Sequence, residues 1–539
     1  MADYVANAPP PSWVQSESRI TSGLDLLGLR NSVQTIGLRV LNGITTISPT
    51  VRYISLHAWI ARRYAEARLP DSWDSFREFS GRVEAGVAIA NLLIGSETVG
   101  LVGFEGADSL IDSGAKQFHL KPLVKQLAAT IYSGPSEQLG ISFASESGIP
   151  GLTKERGMVL AQLVEESLGR TSFAKALHGN PQQTTFTKGA LTELGAAFSI
   201  LDLPLKEKKL LVDCLIPVFP RPNELCRHAT YGLLLELSEK RNTLPTEDEF
   251  FALVLDVKHG LPQFYQQWLD RWLLYLMRDC LAVSHEAVLA AVIGELAATD
   301  GSASGIQRDT LLKRLLVQDD QLMLPLSILG VRPKGKKTLD CPIRELADEL
   351  RAATTPRIRT SLNRWRGKVN EQALILLGLD GSVGSFTVLV LTWLLIRERL
   401  ANSVALLPED RDLLSHQGNN RIGIDQVVLP LLSRVLEQDS RITIREVCYE
   451  LVVRTVEQHL TTAWTRLALD PTKDVAALSA DGMTWRYRKN FTADRTASRL
   501  QQAIGWLSQL GLTDAKGCTE QGEIALSRIR TTLGAQAPT

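Results

Sequence analysis

Apolar residues recur every three to four positions through most of this chain, a spacing that predicts helix after helix. Tyr53, Leu56, Ile60 and Tyr64 share one helical face. Trp73, Phe76, Phe79 and Val83 share another, with Asp71 or Ser72 placed to cap that second helix. Further on, Leu269–Met277 and Ala287–Ala298 are apolar and periodic, and Phe386–Arg399 reads as a core helix. Two capping boxes, Thr246–Glu249 and Thr443–Glu446, mark helix starts. Turns are expected at Ser133-Gly134-Pro135 and Gly148-Ile149-Pro150. Alternation suited to strands is confined to short runs near 475–478, 483–487 and 512–519. The fold class that follows is mainly α: a multidomain helical body.

A chain of 539 residues exceeds what one core usually holds. Composition shifts and turn clusters divide it into a flexible leader (1–15), an N-terminal helical domain (16–150), a central helical domain (151–300), a third helical domain (306–420) and a C-terminal segment (421–539). Asp300–Gly305, small and polar, is the best candidate linker.

The sequence from Trp485 onward carries the most informative pattern. A basic-aromatic stretch is followed by a helix over Asp494–Leu510, with Ala497, Leu500, Ile504, Leu507 and Leu510 on its apolar face. Leu510-Gly511-Leu512, a turn at Lys516-Gly517 and Thr519-Glu520-Gln521-Gly522 then lead into a last helix. That order resembles a winged-helix domain, and the resemblance covers the last fifty to sixty residues. It implies a partner, most often duplex DNA, in other cases another protein. The segment Gly151–Val164, with Leu152-Thr153 before Gly157 and a helix, echoes the same lead-in.

Lys plus Arg and Asp plus Glu both number 59, so no global field draws the chain to nucleic acid, and any such contact must be local. Two patches qualify. Arg486, Arg488, Lys489, Arg495 and Arg499 cluster in the C-terminal module, interleaved with Trp485, Tyr487 and Phe491, and residues 481–539 carry eight basic against five acidic side chains. Residues 331–368 are more basic, eleven against four. There Lys334, Lys336 and Lys337 form a loop, and Arg357, Arg359, Arg364, Arg366 and Lys368 flank Trp365. Guanidinium and ammonium groups in such runs suit phosphate contacts.

Catalytic patterns are missing from the sequence. The eight histidines are dispersed without zinc spacing, and the six cysteines form no CxxC pair. Asp256-Val257-Lys258 has the letters of a nuclease motif but is expected inside a helix rather than on a strand. No cofactor-binding or metal-binding signature appears. No signal-peptide pattern opens the chain, and the apolar run Phe386–Ile396 is too short to span a bilayer, so a cytoplasmic protein without membrane contact is expected. The leading reading is a non-catalytic DNA-binding and scaffolding subunit of a larger prokaryotic complex. In general arrangement it resembles uncharacterised bacterial genome-defence or DNA-processing subunits. An interaction scaffold that docks a helicase, ATPase or nuclease without touching DNA is the alternative, and a metal-dependent nuclease is a third.

Overall fold

The computed structural model describes residues 25–535, apart from 48–49, 96–99, 256–259, 300–303, 318–337, 354–384, 402–427, 429–431, 438–440 and 473. Its helices in chain order begin with α1 (Arg30–Val40), α2 (Arg52–Glu66), α3 (Trp73–Leu93), α4 (Phe104–Asp112), α5 (Ala128–Gln138) and α6 (Gly157–Leu168). They continue with α7 (Ser172–Gly179), α8 (Lys188–Ala197), α9 (Leu205–Leu215), α10 (Leu225–Arg241), α11 (Glu247–Leu255) and α12 (Gln266–Ala298). The last are α13 (Arg308–Leu316), α14 (Ile343–Ala353), α15 (Ser385–Ala401), α16 (Ile444–Leu469), α17 (Leu500–Gln509) and α18 (Glu520–Ala535). The strands are short: β1 (Gln117–His119), β2 (Ser142–Ala144), β3 (Pro150–Leu152), β4 (Thr185–Thr187), β5 (Ile306–Gln307), β6 (Leu478–Asp481), β7 (Thr484–Tyr487), β8 (Thr513–Asp514) and β9 (Gly517–Cys518). The protein is mainly α, as the periodicity predicts.

The chain forms two compact units, each assembled from three separated stretches. The first unit contains 1–36, 254–260 and 269–496; the second contains 37–253, 261–268 and 497–539. The C-terminal segment read as one module therefore contributes β6 and β7 to the first unit, and α17, β8, β9 and α18 to the second.

In the second unit, α2, α3 and α10 carry long runs of buried residues. The same brace is built twice against two of these helices. In one copy, α5 is followed by Gly140 (φ 69°) and the β2–β3 hairpin, and α6 begins at Gly157. In the other, α17 is followed by Gly511 (φ 74°), the β8–β9 hairpin, and α18 with Gly522 in its first turn. The clamp is identical in chemistry. Thr153 Oγ1 donates to the Gly140 carbonyl (2.8 Å) and accepts from the Gly157 amide (3.1 Å). Thr519 Oγ1 donates to the Gly511 carbonyl (2.7 Å) and accepts from the Gly522 amide (3.2 Å). A Cβ on Gly157 would lie 2.1 Å from the Ile141 carbonyl oxygen, and one on Gly522 2.0 Å from that of Leu512, so both positions require glycine. α6 and β3 pack on α2, whereas α18 and β9 pack on α10. The echo between the two sequences is thus a real correspondence in local structure.

Two expectations need correction. The turn at Ser133-Gly134-Pro135 is absent, because α5 runs through it with Pro135 inside the helix. Tertiary contacts outweigh the local breaker: the Glu84 carboxylate accepts from the Ala128 and Ala129 amides (2.8 Å each), and Tyr132 and Ser136 are buried. The helix expected from Asp494 starts only at Leu500. Upstream of it the Thr496 amide donates to Asp279 Oδ1 (3.0 Å), and Ser498 Oγ accepts from the Leu500 amide (3.1 Å). Those bonds hold the backbone out of the helix, and Arg499 sits at φ 67°.

In the first unit, α12 supplies the central apolar element. The stretch Gln263–Ala298 is long and apolar enough to cross a membrane, but 72% of its apolar window is buried within the protein, which marks a core helix. His285 on α12 ties three helices together. Trp393 Nε1–H of α15 donates to His285 Nε2 (2.8 Å), and His285 Nδ1 lies 2.7 Å from Thr455 Oγ1 of α16. An indole only donates, so Nε2 is bare and Nδ1 carries the proton. Thr455 Oγ1 donates in turn to the Leu451 carbonyl (2.7 Å).

Candidate nucleic-acid interface

The basic cluster of the C-terminal segment divides into residues that face solvent and residues bound within their own unit. β7 lies between β5 and β6, with Trp485 opposite Ile306 on one side and Ala480 on the other. Side chains alternate across a strand. Trp485 is buried, at 3% exposure, and Arg486 projects from the opposite face. The Arg486 stem crosses Gly305, where an added Cβ would meet Arg486 Cγ at 2.7 Å. Gly482 (φ 57°) makes the tight turn between β6 and β7.

The end of β7 is pinned to α16 through one residue. The Arg488 and Lys489 amides both donate to the Ala477 carbonyl (3.0 and 3.1 Å), and the Ala477 amide donates to His459 Nε2 (3.0 Å). His459 Nδ1, which must then carry the proton, lies 3.1 Å from the Leu26 carbonyl oxygen. Burial, and next the charges of Lys489 and Arg466, keep this imidazole below its ordinary pKa. Neutral His459 thus fixes the backbone from which Arg488 and Lys489 project.

Arg486 and Arg488 have local carboxylate partners, and Lys489 a backbone carbonyl. Arg488 forks onto the Asp474 carboxylate (2.7 and 3.3 Å), and Lys489 Nζ donates to the Asp474 carbonyl (2.7 Å). Arg486 reaches Asp481 at 3.5 Å. The Ala476 amide, and after it Arg488, holds the Asp474 carboxyl below the usual carboxylate range. The two arginine side chains are 42–44% exposed. Exposed pairs of this kind contribute about 0–1 kcal/mol, so exchange for a phosphate oxygen costs little. Three cations face two carboxylates, leaving a local excess of one.

The remaining members of the cluster serve the fold. Arg495 Nε lies 3.5 Å from Asp279, a carboxylate with no exposure, and burial raises the Asp279 pKa against that favourable charge. Arg499 Nε donates to the Ile44 carbonyl (3.1 Å). Along α17, Gln502 donates to the Thr46 carbonyl (3.2 Å), Gln509 accepts from the Val51 amide (2.9 Å), and Trp506 stacks on Tyr132. Gln502 and Gln509 of α17 are therefore engaged within their own unit. Lys334, Lys336, Lys337, Arg357, Arg359, Arg364, Arg366 and Lys368 lie outside the described residues, as does Asp256-Val257-Lys258.

The buried ionic groups left no sign in the sequence pattern. Arg52, 1% exposed, donates to Glu207 from Nε (3.3 Å) and Nη2 (2.7 Å), and to the Asp202 carbonyl (2.6 Å), while stacking over Phe198. Arg227 is equally buried and bonds Asn42, the Leu215 and Cys214 carbonyls, and Glu224. Their only mark is position on helix faces that are otherwise apolar. Among the described residues no group of three or more His, Cys, Asp or Glu side chains is arranged to hold a metal. No known protein family, curated protein or solved structure matches this chain.

Proposed function

We propose that this protein is a non-catalytic DNA-binding and scaffolding subunit of a larger cytoplasmic prokaryotic assembly, in the setting of genome defence or DNA processing. The observation that carries the reading is the run Arg486, Arg488 and Lys489, the first and last half-buried and Arg488 exposed, on a backbone fixed by the Ala477–His459 link. Guanidinium and ammonium groups at neighbouring positions suit successive phosphates. Trp485 is buried, and the Tyr487 hydroxyl donates to Asn490 Oδ1 (2.9 Å). A buried Trp485 offers no platform for stacking bases, which favours duplex backbone over single strands. The second basic run, 331–368, supplies further phosphate contacts in this reading.

The test is fluorescence anisotropy on duplex and single-stranded oligonucleotides at two salt concentrations. Replacing Arg486, Arg488 and Lys489 together by Ala lowers duplex affinity and flattens the log–log salt slope by about 0.9 for each phosphate no longer neutralised. Duplex binding with an unchanged slope removes this edge from the interface. A wild-type protein that ignores both oligonucleotides returns the question to the second reading, a scaffold docking a helicase, ATPase or nuclease. The local pairing of Arg486 with Asp481 and of Arg488 with Asp474 favours that alternative. A Mg²⁺-dependent cleavage assay separates both from a nuclease.

A further inference from the structure

Three guanidinium groups converge on one buried carboxylate oxygen in the second unit. Glu224 Oε1 has Arg221 Nη2 at 2.9 Å, Arg227 Nη2 at 3.4 Å and Arg156 Nη1 at 3.9 Å, and the Glu224 side chain is 1% exposed. Three positive charges against one leave a local excess of two. The Asp213 carboxylate of α9 is matched separately, by Arg528 at 3.2 Å. Arg227 is wholly buried, and its donors are committed to Glu224, Asn42 and the Leu215 and Cys214 carbonyls. Arg156 and Arg221 differ from it, with side chains 27% and 56% exposed.

Both of these guanidiniums lie over Gly140, where an added Cβ would meet Arg156 Nη1 at 3.2 Å and Arg221 Nη2 at 3.4 Å. Each is fixed along one edge. Arg156 Nη1 donates to the Leu139 carbonyl (2.6 Å), and the Arg221 amide and Nη2 donate to Glu224 (2.9 Å each). Among the described residues no protein acceptor engages Arg156 Nε and Nη2, or Arg221 Nε and Nη1. The obvious structural role for Arg156 is to cap the carbonyl end of α5. The second copy of the brace shows that this end closes without an arginine. There the exposed Gln521 precedes Gly522 as Arg156 precedes Gly157, and no atom lies within 4 Å of the Gly511 Cβ position. The Thr519 clamp still forms. The arginine pair is an addition to the brace rather than a part of it.

We propose that Arg156 and Arg221 form a binding site for a phosphate monoester, set over Gly140. The chemistry selects that anion on two counts. A monoester carries close to two negative charges at neutral pH, which matches the local excess, whereas a carboxylate or a backbone phosphodiester brings one. Its three terminal oxygens accept from two guanidinium forks at once, the pairing that arginine geometry favours. The ester is a small phosphorylated molecule or the 5′-phosphate of a DNA strand. The site is separate from the Arg486–Lys489 run of the first unit and does not depend on it.

The test titrates the full chain with inorganic phosphate by isothermal titration calorimetry at constant ionic strength, with dimethyl phosphate as the singly charged comparison. The expected result is one saturable phosphate per chain, bound at least tenfold more tightly than dimethyl phosphate. Arg221→Gln and Arg156→Gln should each weaken it at least tenfold, whereas Arg62→Gln on α2 should leave it unchanged. Arg156 also holds the Leu139 carbonyl, so circular dichroism checks that each variant is folded. Arg221→Gln keeps its amide bond to Glu224 and decides the matter if Arg156→Gln does not fold. Displacement of phosphate by a duplex with 5′-phosphate ends, and not by the same duplex with 5′-hydroxyl ends, supports the site with a strand end as its ligand. Displacement by neither supports it with a free ester. The proposal is overturned by absence of saturable binding, by equal affinity for dimethyl phosphate, or by unchanged affinity in Arg221→Gln. Equal displacement by both duplexes overturns it as well.

Discussion

Lowering the pH should strain the first unit at His285, and the size of the effect can be worked out. The ring is fully buried, Trp393 donates to Nε2, and Thr455 Oγ1 accepts from Nδ1–H. A second proton would sit on Nε2 against the indole N–H. Burial, with a smaller contribution from the Arg278 charge, pushes the pKa from 6.5 down to about 3. A depressed histidine pKa contributes stability that is complete above 6.5 and is lost as pH falls toward 3. At 1.36 kcal/mol per unit, acidification from pH 7.5 to 4.5 costs roughly 2.7 kcal/mol at this residue. The wild-type curve alone does not isolate it. Burial pushes Glu84 and Glu286 up to about 7, and groups shifted in that direction contribute stability present below 4.5 and lost as pH rises through 7. His285→Gln keeps an acceptor for Trp393 and a donor for Thr455 without a titrating ring. Urea unfolding of both proteins by tryptophan fluorescence at pH 7.5 and 4.5 gives the double difference. The wild type should lose about 2–3 kcal/mol more than the variant, and a double difference near zero would refute the assigned hydrogen-bond chain.

Three further outcomes follow from the geometry. Gly522→Ala or Gly157→Ala puts a methyl group about 2 Å from a backbone oxygen; either should cost about 3 kcal/mol or more in thermal or urea unfolding, beyond the roughly 1–2 kcal/mol for Thr519→Ala. Arg52→Ala leaves Glu207 charged and buried and should cost about 3–5 kcal/mol, whereas Arg62→Ala, at an exposed i,i+4 pair with Glu66, should cost under about 1 kcal/mol. Arg499→Ala should lower the unfolding midpoint while leaving the salt slope of DNA binding unchanged, the converse of the Arg486, Arg488 and Lys489 replacements.

The sequence was most legible where local chemistry and tertiary packing agree. The face Tyr53–Tyr64 falls on α2, the Thr443–Glu446 box caps α16 with both reciprocal bonds formed, and the short β8–β9 hairpin lies within the alternating run 512–519. Legibility failed where distant residues set the backbone. Asp279 lies 217 positions before the Thr496 amide it accepts from, and no periodicity in 494–499 announces that bond. Glu84 likewise stabilises the start of α5 across 44 positions and lets Pro135 stand inside a helix. The basic cluster was visible as a run of letters. Its division into solvent-facing Arg486, Arg488 and Lys489 and inward-bonded Arg495 and Arg499 depends on where β7 ends and α17 begins.

The division of the chain into interleaved stretches also sets an order of events during synthesis. Unit two begins at residue 37 but includes Ala497–Thr539, and unit one begins before it but includes residues up to Thr496. Neither can close while the ribosome is still translating the 480s. α10 leaves the exit tunnel long before α18 arrives to cover it, so its apolar face waits in the nascent chain. A fragment cut at the polar stretch near 300, the most natural-looking boundary in the sequence, would carry neither unit whole.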